Sequence, residues 1–272
     1  MQLKDAEEIF NRAVKFSLVK RKVLIVFPML VLCGLLIVFC RALAVEASDW
    51  VILSLTFLPV FLSFGLLLAT GAFLIKIYKG ELAGERVPLS QIIKESWELF
   101  IGVSYLALPM LLTYLLLWTT LGIFYLLKEI PSIGPSIGVI LSFGPFLLVL
   151  GCLMLSVLNL FILFFVTPHV ALSEGGKWRR IGEAYRLVKE NFFSHLILFT
   201  LAMLPLLFIV GLLSTAAKMT GATFLVSDGA LVVALEWFFI MVPFSALLTP
   251  AVIFFFNFAA ESTLYMLRQA KA

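Results

Sequence analysis

The sequence predicts an all-α polytopic membrane protein, and three observations carry that prediction. Hydrophobic residues make up 62% of the 272 and charged residues 13%, against about 45–50% and about 25% in a soluble domain. Apolar runs such as Val23–Cys40 and Val51–Ile75 match the roughly 20 residues that cross about 30 Å of hydrocarbon. Lys and Arg gather between alternate runs, so the net charge of +4 is a signal of orientation rather than of nucleic-acid binding.

Six spans follow in order: Val23–Cys40, Val51–Ile75, Ile101–Leu127, Ser142–Val166, Phe192–Ala216 and Ala230–Phe256. The first is preceded by an amphipathic basic stretch and followed by Ala42-Leu43-Ala44, which imitates a cleavable secretory signal. Its apolar run exceeds the usual 7–15 residues of such a signal, so it reads as a retained helix. In the fourth region apolar character persists from Ile137 to Leu172. Gly144-Pro145 is the expected kink there and Thr167-Pro168 the expected end, with a re-entrant piece before Pro145 left open. Pro28, Pro59, Pro109, Pro145 and Pro205 fall in the first five spans, and Pro243 and Pro250 in the sixth, so every span can kink. Gly65/Ala69, Cys152/Ser156 and Gly211/Thr215 are small-xxx-small pairs that mark close helix packing. Cys33 and Cys40 stand about 10 Å apart on one helix, too far to bridge.

With the N-terminus inside, the inner side holds Lys4, Arg12, Lys15, Lys20, Arg21 and Lys22. It also holds Lys76, Lys79, Arg86 and Lys94, then Lys177, Arg179, Arg180, Arg186 and Lys189, and finally Arg268 and Lys271. The outer side keeps Arg41, Lys128 and Lys218. The positive-inside rule therefore predicts both termini cytoplasmic, and the expected location is the cell inner membrane.

Each inner segment contains an amphipathic stretch ahead of an odd-numbered span. Leu89, Ile92, Ile93, Ser96, Trp97 and Phe100 keep helical spacing, as do Trp178, Ile181, Tyr185, Val188 and Phe192. Leu3, Ala6, Ile9, Phe10 and Ala13 form a weaker first copy. Such helices lie at the headgroup boundary with Lys and Arg toward anionic lipid. Each leads to a span with proline in a similar setting: Phe27-Pro28-Met29, Leu108-Pro109-Met110 and Leu204-Pro205-Leu206. The expected architecture is a single membrane domain of three parallel hairpin repeats, about 1–87, 88–174 and 175–272, each preceded by an interfacial helix.

The segment from Thr167-Pro168 through Glu174-Gly175-Gly176, then Ile181 to Leu187-Val188 and Asn191-Phe192-Phe193, resembles the membrane domain of bacterial glycerophosphoryl diester phosphodiesterases and its stand-alone six-span relatives. Ala184 stands where such relatives often carry Ser. The resemblance implies a membrane module without catalytic chemistry, since no room remains for a barrel of roughly 250 residues.

Few residues suggest chemistry. Gly134-Pro135-Ser136-Ile137-Gly138 matches a nucleophile pattern, but it is half of a Pro-Ser-Ile-Gly tandem in an outer connection and reads as a turn. His169 and His195, with Glu174 nearby, flank the third interfacial stretch, where hydrogen bonding is the expected role and a metal or proton site the sharper one. Glu236 falls about two turns into the sixth span and is either an intramembrane site or an interfacial carboxylate beside Trp237. Asn159 in mid-span, and Asn257 with Glu261 at i, i+4, either line a cavity or bond neighbouring helices.

Anionic-lipid contacts are assigned to Lys20, Arg21, Lys22, Lys94, Lys177, Arg179, Arg180, Arg186 and Lys189. No cofactor, metal or nucleic-acid partner is expected, and membrane lipids are. The functional reading is a non-enzymatic protein of envelope lipid homeostasis or scaffolding, working through its basic rim. The alternative is a secondary transporter or lipid-translocating protein with a central cavity.

Overall fold

A computed structural model describes residues 3–45, 47–84, 105, 107–131, 134–172, 192–220 and 229–269. The elements are α1 (Leu3–Lys15), α2 (Lys20–Leu43), α3 (Asp49–Leu82), α4 (Ala107–Glu129) and α5 (Gly134–Phe161). A π-helical turn (Ile162–Val166) then leads into α6 (Thr167–Leu172), followed by α7 (Phe192–Met219) and α8 (Ala230–Gln269). Six helices are long and apolar enough to span a bilayer, so the chain is a multi-pass all-α membrane protein. The expected interfacial helices around residues 89–100 and 178–192 lie almost wholly outside the described residues.

Two spans greatly exceed a bilayer. With 40 residues in α8 and 34 in α3, their lengths are about 60 Å and about 50 Å. Both continue at the end where α1 packs, so the N-terminal helix and the C-terminal end of α8 share one face of the bundle. We call this the α1 end.

The prolines behave differently from one another. Pro28, Pro59, Pro145, Pro205, Pro243 and Pro250 lie inside their helices, whereas Pro109 occupies the first turn of α4, where a missing N–H costs nothing. Serine and threonine hydroxyls donate back to carbonyls one turn earlier, as Thr249 does to Ser245 at 2.7 Å and Thr113 to Pro109 at 2.8 Å. This hides their polarity within the helix.

Thr167-Pro168 does not end the fourth span, contrary to expectation. The helix widens into the π turn just before it, and the Thr167 N–H and hydroxyl both reach the Ile162 carbonyl, the hydroxyl at 3.4 Å. A π turn adds one residue per turn, so Pro168 enters α6 without ending the helix. No re-entrant reversal precedes Pro145 either, because α5 runs unbroken from Gly134.

Helix α2 packs on α3, α4 on α5 and α7 on α8, and these pairs close in a ring. The second helix of each meets the first helix of the next: α3 packs on α4, and α8 packs on α2. The end of α5 and the π turn meet α7 through Phe161 and Phe164 against Phe199, with ring centroids 4.4 and 5.6 Å apart. The second helices also meet one another at the centre. That centre is filled with aromatic side chains, Phe164 lying 5.6 Å from Phe255 and 6.4 Å from Phe258.

Burial is concentrated toward the α1 end. Residues 251–262 of α8 are all buried, while Leu231, Leu235, Phe239 and Leu247 farther out are exposed. A smaller cluster at the far end stacks Phe61 on Tyr114 at 4.5 Å, and the Tyr114 hydroxyl donates to the Ser54 carbonyl at 2.5 Å. All three cysteines are free and buried.

Gly71 sets the approach of α3 to α8. A Cβ there would stand 2.2 Å from Cε1 of Phe256, a fully packed ring. Gly71→Ala is expected to destabilise the bundle by about 1–3 kcal/mol through overpacking, read as a lowered midpoint of thermal unfolding in detergent. Adding Phe256→Leu should recover part of the loss.

Candidate functional site

The most elaborate polar arrangement among the described residues lies where α1, α2, α3 and α8 converge at the α1 end. Lys22 stands in the first turn of α2 and has no exposed surface. Its ammonium donates to Asn257 Oδ1 at 3.1 Å and to the Phe16 carbonyl at 3.2 Å, and it forms an ion pair with Glu81 Oε2 at 2.7 Å. The Tyr78 ring lies 5.0 Å away, within cation–π range. Helix dipoles disfavour a cation in the first turn of α2 and an anion in the last turn of α3, so the Lys22–Glu81 pair offsets two unfavourable placements at once.

The i, i+4 spacing of Asn257 and Glu261 puts both on the face of α8 that meets these helices. The Asn257 amide also donates toward the Ala13 carbonyl and Ser17 Oγ, each at 3.5 Å, while Ser17 donates to Ala13 at 2.6 Å. Glu261 accepts from Arg12 Nη1 at 3.1 Å on one oxygen and from the Tyr78 hydroxyl at 3.0 Å on the other. Arg12 pairs with Glu8 as well. The hydrogen bond to Glu261 holds the Arg12 guanidinium more firmly protonated than usual, outweighing burial. Arg12 therefore stays charged across the accessible pH range.

Apolar contacts complete the docking of α1. Ile9 and Ala13 are buried, and Phe10 meets Phe254 edge-on at 5.2 Å. The helix expected at the headgroup boundary is fastened to the bundle on one face. Its outer face adjoins a cleft of about 350 Å³ lined by Asp5, Glu8, Arg12, Glu261, Tyr265 and Arg268.

The other expected site residues are dispersed. Lys22 is the clear correction to the lipid-contact assignment: a side chain without exposed surface cannot meet a headgroup. Lys20 is exposed and Arg21 partly so. Lys94, Lys177, Arg179, Arg180, Arg186 and Lys189 lie outside the described residues. Glu236 is partly exposed near the far end of α8, beside Trp237, whose ring lies 5.0 Å from the Arg41 guanidinium carbon. Asn159 is buried in α5, one turn before the π turn, and neither amide atom has a partner. Gly134-Pro135-Ser136-Ile137-Gly138 forms the first turns of α5 rather than an open turn, without the strand that a nucleophile elbow requires. His169 and His195, 26 positions apart in the chain, line one small cavity.

Sequence reasoning missed Ser17, Tyr78 and Glu81 as members of the network. The available signal was Glu81 just beyond an apolar run, opposite a run of three cations at the start of α2. Among the described residues no three of His, Cys, Asp or Glu gather as a metal would require. No family model, curated protein or solved structure matches the chain.

Two outcomes follow from this geometry. Glu81→Gln strands a buried ammonium and should cost about 3–5 kcal/mol. Lys22→Met should cost less, because the Glu81 side chain keeps 20% of its surface exposed; a double-mutant cycle of unfolding midpoints in detergent reads the coupling. Asn159→Leu removes an unsatisfied amide and should stabilise the protein by about 1 kcal/mol, raising the same midpoint.

Proposed function

We propose that this chain is a non-enzymatic inner-membrane protein that holds anionic lipid at its α1 end, serving membrane lipid homeostasis or scaffolding. One observation carries the reading. At the α1–α2 junction the exposed apolar side chains Val14, Leu18 and Leu24 alternate with exposed Lys15 and Lys20, and Lys79 is exposed at the same end of α3. Apolar groups that enter the acyl boundary beside cations that remain at headgroup depth are what an anionic leaflet attracts. The packed aromatic centre favours this reading over transport through the ring.

The proposed orientation has both termini cytoplasmic. It draws on the skew of Lys and Arg toward the α1 end and on the shared position of α1 and the end of α8. A threefold repeat of hairpins is likewise proposed, supported by the cyclic order in which each second helix meets the next first helix. Kinship with the membrane domain of glycerophosphoryl diester phosphodiesterases is part of the same proposal and rests on the Thr167–Phe193 motif alone.

Native mass spectrometry of the protein released from mixed-lipid micelles tests the lipid reading. Each Lys near a surface is worth about 1 kcal/mol toward anionic lipid, so K15E/K20E/K79E should lose most retained phosphatidylglycerol while keeping its fold. Equal retention of neutral and anionic lipid by the unmodified protein would overturn the proposal.

A further inference from the structure

The cleft between α1 and the last turns of α8 brings both signs of charge into one space of about 350 Å³. Asp5, Glu8 and Arg12 share a face of α1 by their helical spacing, as Glu261, Tyr265 and Arg268 do on α8. The two helices meet in opposite directions: the Tyr265 hydroxyl donates to Asp5, and Arg12 donates to Glu261. The cleft walls are therefore held together at two levels.

Its depth is set by α8. No charged residue stands between Glu236 and Glu261, a helical stretch of about 37 Å, enough to cross about 30 Å of hydrocarbon. Glu261 marks the place where α8 leaves the acyl region, so the cleft opens at headgroup level.

Charge selects the occupant. Asp5 and Glu8 oppose a headgroup that is only anionic, and Arg12 and Arg268 oppose a ligand that is only cationic. Glu261 belongs to the wall, since it is 4% exposed and engaged by Arg12 and by the Tyr78 hydroxyl. The bonds that Asp5 and Glu8 already make do not exhaust them, because an ionised carboxylate has about four lone-pair sites. Glu8 and Arg268 are exposed, and the Arg12 side chain keeps 42% of its surface. A guanidinium has about five donors, so Arg12 retains some beyond those directed to Glu8 and Glu261.

A headgroup with a phosphate and a primary ammonium a few bonds apart meets both sets of side chains. Arginine pairs with phosphate through parallel N–H bonds, and a primary ammonium donates three hydrogen bonds to carboxylates. A quaternary ammonium has no N–H to donate. We infer that the cleft binds the phosphoethanolamine headgroup of a zwitterionic phospholipid, its phosphate on Arg12 and Arg268 and its ammonium on Asp5 and Glu8.

The test uses the full chain in micelles that carry equal amounts of phosphatidylethanolamine, phosphatidylcholine and phosphatidylglycerol with identical acyl chains, and native mass spectrometry identifies the retained lipid. Phosphatidylcholine is the neutral reference for this site and for the α1–α2 junction. The unmodified protein should retain phosphatidylethanolamine well above phosphatidylcholine. D5N/E8Q keeps the hydrogen-bonding shape and removes two exposed charges, and should lower that retention about tenfold. Arg268→Gln should lower it as well, while K15E/K20E/K79E should leave it unchanged as phosphatidylglycerol is lost. Soluble phosphoethanolamine at the lipid's own concentration should not displace the lipid.

Equal retention of phosphatidylethanolamine and phosphatidylcholine by the unmodified protein would overturn the inference, and that comparison requires no variant to fold. Undiminished retention by both D5N/E8Q and Arg268→Gln would sink the assignment of residues. Loss of phosphatidylethanolamine in K15E/K20E/K79E would refute a site separate from the junction. Displacement by soluble phosphoethanolamine would refute the lipid as its source. The two lipids are read by separate masses, so failure here and failure of anionic-lipid binding at the junction are told apart.

Discussion

Lys22 is a cation with no exposed surface, and the α1 end of the bundle is arranged around that fact. An unpaired ammonium in such a place would cost several kcal/mol. Its three partners come from three different parts of the chain: the end of α3, the part of α8 at the α1 end and the α1–α2 connection. Satisfying one side chain therefore fixes the relative depth of these elements. Glu261 extends the same logic by joining Arg12 of α1 to Tyr78 of α3.

This constraint matters because helices in a bilayer gain little from leaving lipid for one another. Association must come from close packing and polar bonds. Both are found together in the part of α8 at the α1 end, where residues 251–262 are buried throughout. Gly71 admits the Phe256 ring at a distance no side chain would permit, and the Phe164–Phe255–Phe258 group fills the ring's centre just beside the ionic network. Among the described residues such bonds are fewer toward the far end, and the helices expose Leu204, Leu207, Phe208 and Leu235 to their surroundings. Tight and loose halves thus follow from where the polar groups and small residues lie.

Much of the fold was legible in the chain because membrane crossing depends on length and hydropathy, both local properties. All six spans were recognisable, and their limits differ from the structure mainly where charged residues continue a helix beyond the hydrocarbon, as at Lys76–Leu82 and Asn257–Arg268. The fourth span was misjudged at Thr167-Pro168, since proline reports a missing donor but not the π turn that accommodates it. Asn257 and Glu261 were recognisable as a pair by their spacing. Their partners were not, because Arg12 and Tyr78 lie 249 and 183 positions away from Glu261.

By itself, then, the sequence determined that this is a six-span helical membrane protein with its positive charge skewed to one side, since these are sums over local residues. It could not decide which cations meet lipid. Lys20 and Lys22 stand two positions apart in one basic run, yet one is exposed and the other sealed beneath α1 and α8. That difference is tertiary: a helix turns about 200° over two residues, and only the packing of its neighbours determines which side is covered. The same packing drew two distant histidines into one cavity and converted an amphipathic N-terminal segment into a fastened part of the bundle.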